Sequence, residues 1–463
     1  MIKSKEKIYI KLSVVTAILF TLFKIPFLDL PYYWDEAWVY GPALTMISDS
    51  PSLLPDALPV DLSRGHPLLY HFLGGLWGFI FGSSVLSLHI FSLGISLMLI
   101  ASIYFVTTKL FDNPRVGFFS VLALCLQPIF LAQSGLVLPE VCLALFCLFT
   151  IYFYIKQKWL WYFVVCAGSI LVKESGIVIL FASAFHYALI NRKDYNSLKF
   201  YKSLLITISP ILPWLLFLMI QKHINGWYFF PQHVDYVSFS IDEVLNKLER
   251  CAAYVFIYQG RNVLFFSAII LAIISLVRKK NIPFKRELLY LLIFIVGFIV
   301  FSALNFYSDR YVMAVIPPFI AMCVLLISEY LKTQRIILVA IVIVIGVQID
   351  RIKNLSNSDH NMGYANAVKC HQQMVKFFER NDLKDKNINC YFLGREVLTK
   401  PVVGYVSSSF PNITKEITNK TEYIVVANFD TDKKNILLLN NPNYQLAHSI
   451  EIGQAWIKIL KTQ

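Results

Sequence analysis

The chain alternates long apolar runs with short polar segments through roughly its first 350 residues. A transmembrane helix needs about 20 consecutive apolar residues, so each run is a candidate membrane span. The pattern predicts a polytopic α-helical membrane protein. Runs of spanning or near-spanning length lie at 8–28, 67–82, 85–108, 115–132, 137–155, 159–172, 174–190, 200–221, 253–277, 288–304, 310–331 and 335–349.

The distribution of Lys and Arg decides which runs cross. Basic clusters mark the cytoplasmic ends of membrane helices. If the run 67–82 crosses, the clusters alternate inconsistently with the basic N-terminus; if it stays outside as an amphipathic or re-entrant helix, all of them lie inside. That run is short, Gly-rich and interrupted by His71. The sequence therefore predicts about eleven transmembrane helices in the plasma (inner) membrane, with a cytoplasmic N-terminus and a periplasmic or extracellular C-terminus.

The pattern changes after residue 350. A helical periodicity through Tyr364 and Phe378 is followed by the strand-like runs INCYFL, EYIVVA, HSIEI and WIKIL. We predict a transmembrane catalytic domain over 1–350, with its first outer loop at 29–84, and a small α/β or α+β outer-face domain over 351–463.

Two cysteines, Cys370 and Cys390, lie in this second domain. If a helix packs on the strand that follows it, their α-carbons would fall within the 4.4–6.8 Å that a disulfide requires. The alternative is that Cys370, which lies between the apolar positions Val368 and Val375 on the helical wheel, faces elsewhere. The other six cysteines lie in or beside apolar runs and are interpreted as small core residues.

Composition supports the membrane interpretation and removes one class of partner. Hydrophobic residues make up 57% of the chain and charged residues 15%. The formal net charge is +13, but no basic cluster is interleaved with aromatic residues as a nucleic-acid surface requires. We therefore expect the lipid bilayer, and no nucleic acid, as a partner.

The first outer loop concentrates costly polar groups. Asp35 and Glu36 are adjacent carboxylates at a membrane boundary, where such groups usually have a function. Aromatic side chains surround them, which a merely solvated loop does not need. An acidic pocket with aromatic walls is therefore favoured over a solvated loop. The surrounding rings are Tyr32, Tyr33, Trp34, Trp38 and Tyr40.

The predicted topology brings further ionisable residues to the outer face. Glu140 follows Pro139, Lys173 separates two apolar runs, and Arg310 begins the run 310–331. Charged residues at such positions are site candidates by default. For each, the alternative is a helix-end side chain that extends to water.

Three other features of the outer face have two interpretations each. His66 is either a site residue or a loop-packing histidine held by Pro67, and Arg64 precedes it in the same loop. Tyr311 either binds a phosphate or belongs to the interfacial aromatic belt. The segment GWYFFPQH (226–233) either closes a binding groove or anchors the chain at the interface.

Five motifs in order resemble one family. They are DE in the first outer loop, RGHPLLYHFLGGLWGFIFG, LPEVCLALFCLFTIYFYIK, KESG and SDRYVMAVIPPF. From Trp34 to Phe319 the chain resembles GT-C class membrane glycosyltransferases of the protein O-mannosyltransferase and aminoarabinose transferase group. Two positions depart from the family pattern: Leu68 replaces the second proline of HPPL, and Glu140 stands where relatives often have Asp.

The resemblance implies that a sugar moves from a polyprenyl-phosphate-linked donor to an acceptor on the outer face, with inversion. The acceptor is a lipid, a protein or a glycan. Asp35 would deprotonate an acceptor hydroxyl, with Glu36 as its orienting partner. If the acceptor is itself a phosphate, Asp35 positions it instead.

The leaving phosphate needs positive charge in the same place. Arg64, Lys173, Arg310 or a divalent metal ion would stabilise it. Glu36 and Glu140 are the candidate metal ligands, and His66, Tyr311 and Glu140 are further candidate substrate contacts.

Other function classes are less well supported. A lipid-linked glycan transporter or flippase should show paired interrupted helices and ionisable residues at mid-membrane, whereas the charges here crowd one face. A polymerase or ligase of surface polysaccharide should have its largest loop late in the chain, and here the informative loop comes first. A non-catalytic receptor or scaffold remains the third alternative.

Overall fold

The computed structural model describes residues 4–237, 240–278, 284–330, 357–429 and 434–463. In these ranges the first part of the chain is almost entirely helical. Its first nine helices are α1 Ser4–Lys24, α2 Gly41–Ile47, α3 Val60–Ser63, α4 Leu69–Phe81, α5 Val85–Phe111, α6 Pro114–Cys125, α7 Pro128–Gln133, α8 Glu140–Ile155 and α9 Trp159–Val172. The next eight are α10 Ile177–Ile190, α11 Leu198–Ile208, α12 Leu212–Asn225, α13 Pro231–Val234, α14 Ile241–Phe256, α15 Arg261–Val277, α16 Lys285–Leu304 and α17 Ile316–Tyr330.

Several of these helices are long and apolar enough to cross a membrane, which supports the predicted membrane embedding. Some spans include a short 3-10 segment that continues a helix, and Leu198–Asn225 joins α11 and α12 in this way. In the described ranges the spans are Glu6–Phe27, Val85–Phe111, Leu198–Asn225, Lys285–Leu304 and Asp309–Glu329. The remaining apolar helices have 10–17 residues, too few for a full span each at 1.5 Å per residue. The structure therefore bears out five predicted spans but not the count of eleven. The predicted span 335–349 lies outside the described residues.

The spans differ in their position within the bundle. In Asp309–Glu329, 83% of the apolar window is buried, against 17% in Glu6–Phe27. The central helix α17 contacts α5, α6, α8, α15 and α16. Arg310 lies in the 3-10 helix Asp309–Val315, which leads into α17, and it is buried.

One predicted span is broken. The run 253–277 was expected as a single helix, but α14 ends at Phe256 and α15 begins at Arg261, with an angle of 82° between them. The backbone is left-handed at Gln259 (φ 57°) and Gly260 (φ 77°), a conformation that glycine accepts without penalty. The fully buried Arg261 donates from Nε to the carbonyls of Tyr254 (3.0 Å) and Val255 (3.1 Å), which the break leaves without helical donors.

The tail forms a five-stranded mixed sheet with helices against it. The strand order is β2-β1-β3-β5-β4; β1 pairs parallel with β2 and β3, and β5 pairs antiparallel with β3 and β4. The strands are β1 Ile388–Cys390, β2 Ile413–Thr414, β3 Tyr423–Ala427, β4 Tyr444–Ile452 and β5 Ala455–Thr462, and the helices are α18 Tyr364–Arg380, α19 Phe392–Thr399 and α20 Lys434–Leu437. The predicted domain boundary at 350 lies outside the described residues.

The predicted tail elements coincide with the structure except in one run. INCYFL was expected as a strand, but only Ile388–Cys390 is extended and Phe392 begins α19. The apolar side chains of this helix, such as Leu393 and Val397, are buried. A short apolar run is ambiguous between strand and helix, and here the helix buries the same side chains.

The disulfide between Cys370 and Cys390 is not formed. Both residues are buried, and neither takes part in a disulfide. The Cys370 thiol points to the carbonyl of Ala455 in β5, 3.5 Å away, so it faces a different strand from the one that carries Cys390. The structure therefore agrees with the alternative, in which Cys370 does not face the strand of Cys390.

Candidate active site

The centre of the site is the guanidinium group of Arg310. This residue is only 3% exposed, yet it pairs with three carboxylates from separate parts of the chain. Nη2 donates to Asp35 Oδ2, Nε donates to Glu140 Oε1 at 3.3 Å, and Nη1 donates to Asp359 Oδ2. A guanidinium offers donors along fixed directions in one plane, so three acceptors define its orientation completely.

Lys173 is the second cation of this cluster. It caps the C-terminus of α9, and its Nζ donates to Glu140 Oε1 at 2.9 Å while lying 3.6 Å from the ring centre of Tyr311. Burial is the largest single influence and opposes its charge, but Glu140 and Tyr311 together raise the pKa of Lys173. We call Asp35, Glu140, Lys173, Arg310 and Asp359 the carboxylate–arginine cluster.

Glu140 offers an unused acceptor inside the cluster. The residue is 1% exposed and begins α8 directly after Pro139. Its Oε1 receives both cations, whereas its Oε2 has no hydrogen-bond partner among the described residues. A buried carboxylate oxygen without a donor is costly, so a substrate hydroxyl would be a favourable partner.

The backbone is unusual on both sides of Asp35. Trp34 has φ 53°, a left-handed conformation that is rare for a bulky residue, and Glu36–Tyr40 form a single π-helical turn. Such conformations cost about 1–3 kcal/mol each and cluster at functional sites. The distortion leaves the Asp35 side chain 23% exposed while it still contacts buried Arg310.

Glu36 has partners of its own and does not join Asp35. Its carboxylate is fully buried and accepts hydrogen bonds from the backbone N–H of Val137 (2.5 Å) and of Tyr33 (3.2 Å). His89 Nε2 lies 3.0 Å from the same carboxylate. Glu36 therefore ties the first outer loop to α5 and to the segment before α8, which is a structural arrangement.

The predicted metal ligands do not form a metal site. Glu36 and Glu140 have separate partners, and the described residues hold no group of three or more His, Cys, Asp or Glu side chains that would bind a metal ion. Glu140 Oε1 already receives Arg310 and Lys173, and Glu36 is held by His89 and two backbone N–H groups, so the two glutamates do not converge on one position.

His66 lies in a neighbouring cluster. Its Nδ1 lies 2.9 Å and 3.0 Å from the two carboxylate oxygens of Glu174, and since a carboxylate only accepts, this nitrogen donates. The ring centre of His233 is 4.8 Å from that of His66. Lys173 and Glu174 are adjacent, so the KESG turn connects the carboxylate–arginine cluster to His66.

Arg64 lies on an aromatic surface beside His66. Its guanidinium carbon is 4.5 Å from the ring centre of Trp38 and 5.7 Å from that of Phe230, and Nη2 lies 3.5 Å from Gln232 Oε1. In the described part of the chain no carboxylate forms an ion pair with Arg64.

The neighbouring Gly65 allows this packing. It has φ 70°, and a Cβ there would lie 2.7 Å from the ring of Trp227. The aromatic segment, residues 227–236, thus packs closely on the first outer loop.

The structure brings most of the predicted site residues together. Four of them belong to the central cluster: Asp35, Glu140, Lys173 and Arg310. Tyr311 contacts Lys173 through its ring. Arg64 stacks on Trp38, three residues after Asp35, and His66 pairs with Glu174, the neighbour of Lys173. Glu36 is the exception.

Sequence reasoning did not find Asp359. It lies in a polar stretch, where a charge has no unusual cost, and the only signal was the adjacent pair Asp359–His360.

The contact between the aromatic segment and the first outer loop should depend on pH. Burial, with His66 as a further cause, lowers the pKa of His233 from 6.5 to about 4. The folded contact therefore prefers neutral His233, and its stability is present above pH 6.5 and lost as the pH falls towards 4. We expect protection of residues 227–236 against hydrogen exchange, corrected for intrinsic rates, to decrease over this range.

The variant His233→Gln is the control for this pH effect. Glutamine does not titrate in this range, so the variant should lose most of the pH dependence while it keeps the ring contacts of Trp227 and Phe230. Protection that falls equally in wild type and variant would assign the effect to another group.

A family of known proteins matches part of the chain. Residues 65–217, a third of the sequence, match the family model described as dolichyl-phosphate-mannose-protein mannosyltransferase. A comparison with curated proteins gives no significant match.

Solved structures resemble the chain over nearly its whole length. ArnT from Cupriavidus metallidurans bound to undecaprenyl phosphate has a TM-score of 0.56 at 12% identity, and the match covers 98% of this chain and 97% of ArnT. The apo form of the same protein has a TM-score of 0.57 at 11% identity with the same coverage. An oligosaccharyltransferase from Archaeoglobus fulgidus, in complex with zinc and sulfate, has a TM-score of 0.46 at 11% identity and covers 89% of this chain and 67% of its own. The chain therefore has the fold of the GT-C membrane glycosyltransferases.

Proposed function

We propose that the protein is a glycosyltransferase that moves a sugar from a polyprenyl-phosphate-linked donor to an acceptor on the outer face of the membrane, with inversion at the anomeric carbon. The observation that carries this proposal is the carboxylate–arginine cluster, in which a partly exposed carboxylate, Asp35, is held by a buried cation. The match of residues 65–217 to a mannosyltransferase family model and the undecaprenyl phosphate bound to ArnT support it.

Asp35 is the group that we assign to the acceptor. Displacement at the anomeric carbon forms a bond to the acceptor oxygen and breaks the bond to the phosphate oxygen, so the acceptor hydroxyl must lose a proton. Asp35 takes that proton, and Arg310 holds the carboxylate in place. If the acceptor is a phosphate, there is no proton to remove, and Asp35 orients the acceptor instead.

The donor phosphate should lie at Arg64 rather than inside the central cluster. That cluster holds three carboxylates against Lys173 and Arg310, an excess of one negative charge that would repel a phosphate. Arg64 has no carboxylate in an ion pair with it among the described residues and is stacked on Trp38, three residues beyond Asp35. Arginine in that setting binds a phosphate through two parallel donors.

This assignment divides the cations by role. Lys173 and Arg310 hold Asp35 and Glu140 in position, and Glu140 Oε2 accepts a hydrogen bond from a sugar or acceptor hydroxyl. Arg64, with His66 beside it, stabilises the charge that gathers on the departing phosphate. The aromatic segment covers this phosphate site because it packs directly on Gly65.

The first test is Asp35→Asn. The amide keeps the shape and the hydrogen bond to Arg310 but cannot take a proton, so we expect transfer to fall about 10²-fold or more. Transfer is measured as release of polyprenyl phosphate in membrane vesicles from the producing cells, which supply donor and acceptor. Asp56→Asn, an exposed aspartate of the same loop, is the matched control and should transfer like wild type. Near-normal transfer by Asp35→Asn would remove Asp35 from the proton transfer.

A second test concerns the phosphate site. Arg64→Gln removes a charge-assisted contact worth about 1.5–3 kcal/mol, which corresponds to about 10- to 100-fold weaker binding of polyprenyl phosphate. Binding is measured on the purified protein by native mass spectrometry with undecaprenyl phosphate as the probe. Arg192→Gln changes an exposed arginine in the segment proposed to be cytoplasmic and should bind as wild type does. Unchanged binding by Arg64→Gln would mean that the phosphate lies elsewhere.

A third test addresses the proposed orientation in the membrane. The eight native cysteines are buried, so single exposed cysteines can be labelled selectively in intact cells with a membrane-impermeant maleimide. Ser50→Cys in the first outer loop and Ser408→Cys in the tail should react, whereas Asn196→Cys should react only after permeabilisation; all three positions are exposed. Labelling of Asn196→Cys in intact cells would overturn the orientation.

A further inference from the structure

The carboxylate–arginine cluster receives one member from the tail. Asp359 lies five residues before α18, is 4% exposed, and accepts from Nη1 of Arg310. Its second oxygen accepts from Ser358 Oγ at 3.3 Å. A carboxylate in a polar connecting segment usually faces water, whereas Asp359 is buried against Arg310.

The position of Asp359 is fixed by its own backbone. Three carbonyls in residues 357–360 accept hydrogen bonds from side chains of three separate elements in the membrane part of the protein, which leaves this short segment little freedom. The bonds run from Tyr33 Oη to the carbonyl of Asn357, from Gln133 Nε2 to that of Asp359 (2.6 Å), and from Gln259 Nε2 to that of His360 (3.2 Å).

Other residues of the tail form hydrogen bonds to the backbone on both sides of Asp35. The N–H of Tyr32 donates to the carbonyl of Val403 at 3.0 Å, and Lys400 Nζ donates to the carbonyl of Trp38 at 3.3 Å. The ring of Phe392 lies 5.0 Å from that of Trp38. Asp359 is therefore part of a continuous contact between the tail and the first outer loop.

We propose that Asp359 is a positioning residue of the active site, which acts through Arg310 on Asp35. Because the guanidinium group is planar and rigid, holding Nη1 fixes the direction in which Nη2 presents its hydrogen to Asp35. Asp359 also competes with Asp35 for the same cation. Without it, two carboxylates would face two cations, and Asp35 would pair more tightly with Arg310.

This inference rests on the proposed function and adds a role for the tail. If Asp359 acts as described, the tail supplies an indispensable part of the reaction centre. Its contribution is to the chemical step, since the Asp359 carboxylate contacts Arg310 and Ser358, whereas Arg64 contacts Trp38, Phe230 and Gln232. Loss of Asp359 should therefore lower kcat and leave the apparent KM for the donor nearly unchanged.

The test compares Asp359→Asn, Asp359→Glu and the control Asp385→Asn, an exposed aspartate of the tail. Initial rates are measured in vesicles prepared from membranes of the producing cells, which supply the acceptor, with the lipid-linked sugar pool titrated as donor. We expect Asp359→Asn to lower kcat between about 10- and 100-fold, the cost of a small misplacement of a reacting group. The apparent KM should stay within about twofold, Asp359→Glu should recover part of kcat, and Asp385→Asn should equal wild type.

A double-mutant cycle shows whether the effect passes through Arg310. In an Arg310→Lys background, Asp359→Asn should cause a much smaller further loss than it does alone, because the two residues then no longer act as a unit. Additive losses, an unchanged kcat in Asp359→Asn, or a change confined to KM would overturn the proposal.

Folding and the proposed function are checked separately. Thermal unfolding in detergent is measured for every variant. If Asp359→Asn does not fold, Asp359→Glu decides: a lowered kcat at wild-type stability supports positioning, and a wild-type kcat refutes it. Absence of any transfer by the wild-type protein would refute the proposed function itself.

Discussion

The buried charge of Arg310 is the constraint on which the rest of the structure depends. Moving a guanidinium out of water costs several kcal/mol unless good partners surround it, and three carboxylates from distant segments supply them. Each partner is in turn a charge that needs the arginine. The ion pairs of Arg310 therefore hold the first outer loop, the start of α8 and the connection to the tail at one point.

The scaffold around this point is arranged to keep it in place. The span Asp309–Glu329, which contains Arg310, is the most buried of the candidate spans in the described residues, so the arginine backbone has little freedom. The tail adds its own hydrogen bonds on both sides of Asp35. Strain in the loop, such as the left-handed Trp34, persists because the surrounding contacts over-determine the conformation.

The cations of the candidate site are of two kinds, which differ in whether they pair with carboxylates. Arg310 and Lys173 are saturated by carboxylates and serve to orient them, whereas Arg64 lies on an aromatic surface at the edge of the cluster. A reaction that separates a phosphate from a sugar needs both a placed carboxylate and a cation that is free to receive charge. In the proposed reaction, separating the carboxylate and the phosphate-binding cation in space keeps the phosphate away from the carboxylate cluster, which would repel it.

The sequence by itself determined the membrane-embedded helical architecture and pointed to most residues of the candidate site, because apolar length and charges in apolar surroundings are costly wherever the chain folds. Asp35, Glu140 and Arg310 could be identified on that ground alone. The tertiary structure alone decided which charges meet. The adjacent His360 was the sole local signal for Asp359 in its polar segment, and Glu36, adjacent to Asp35 in sequence, pairs with other groups. These pairings join residues far apart in the chain, and no local pattern encodes a contact whose energy arises only when both partners are buried together.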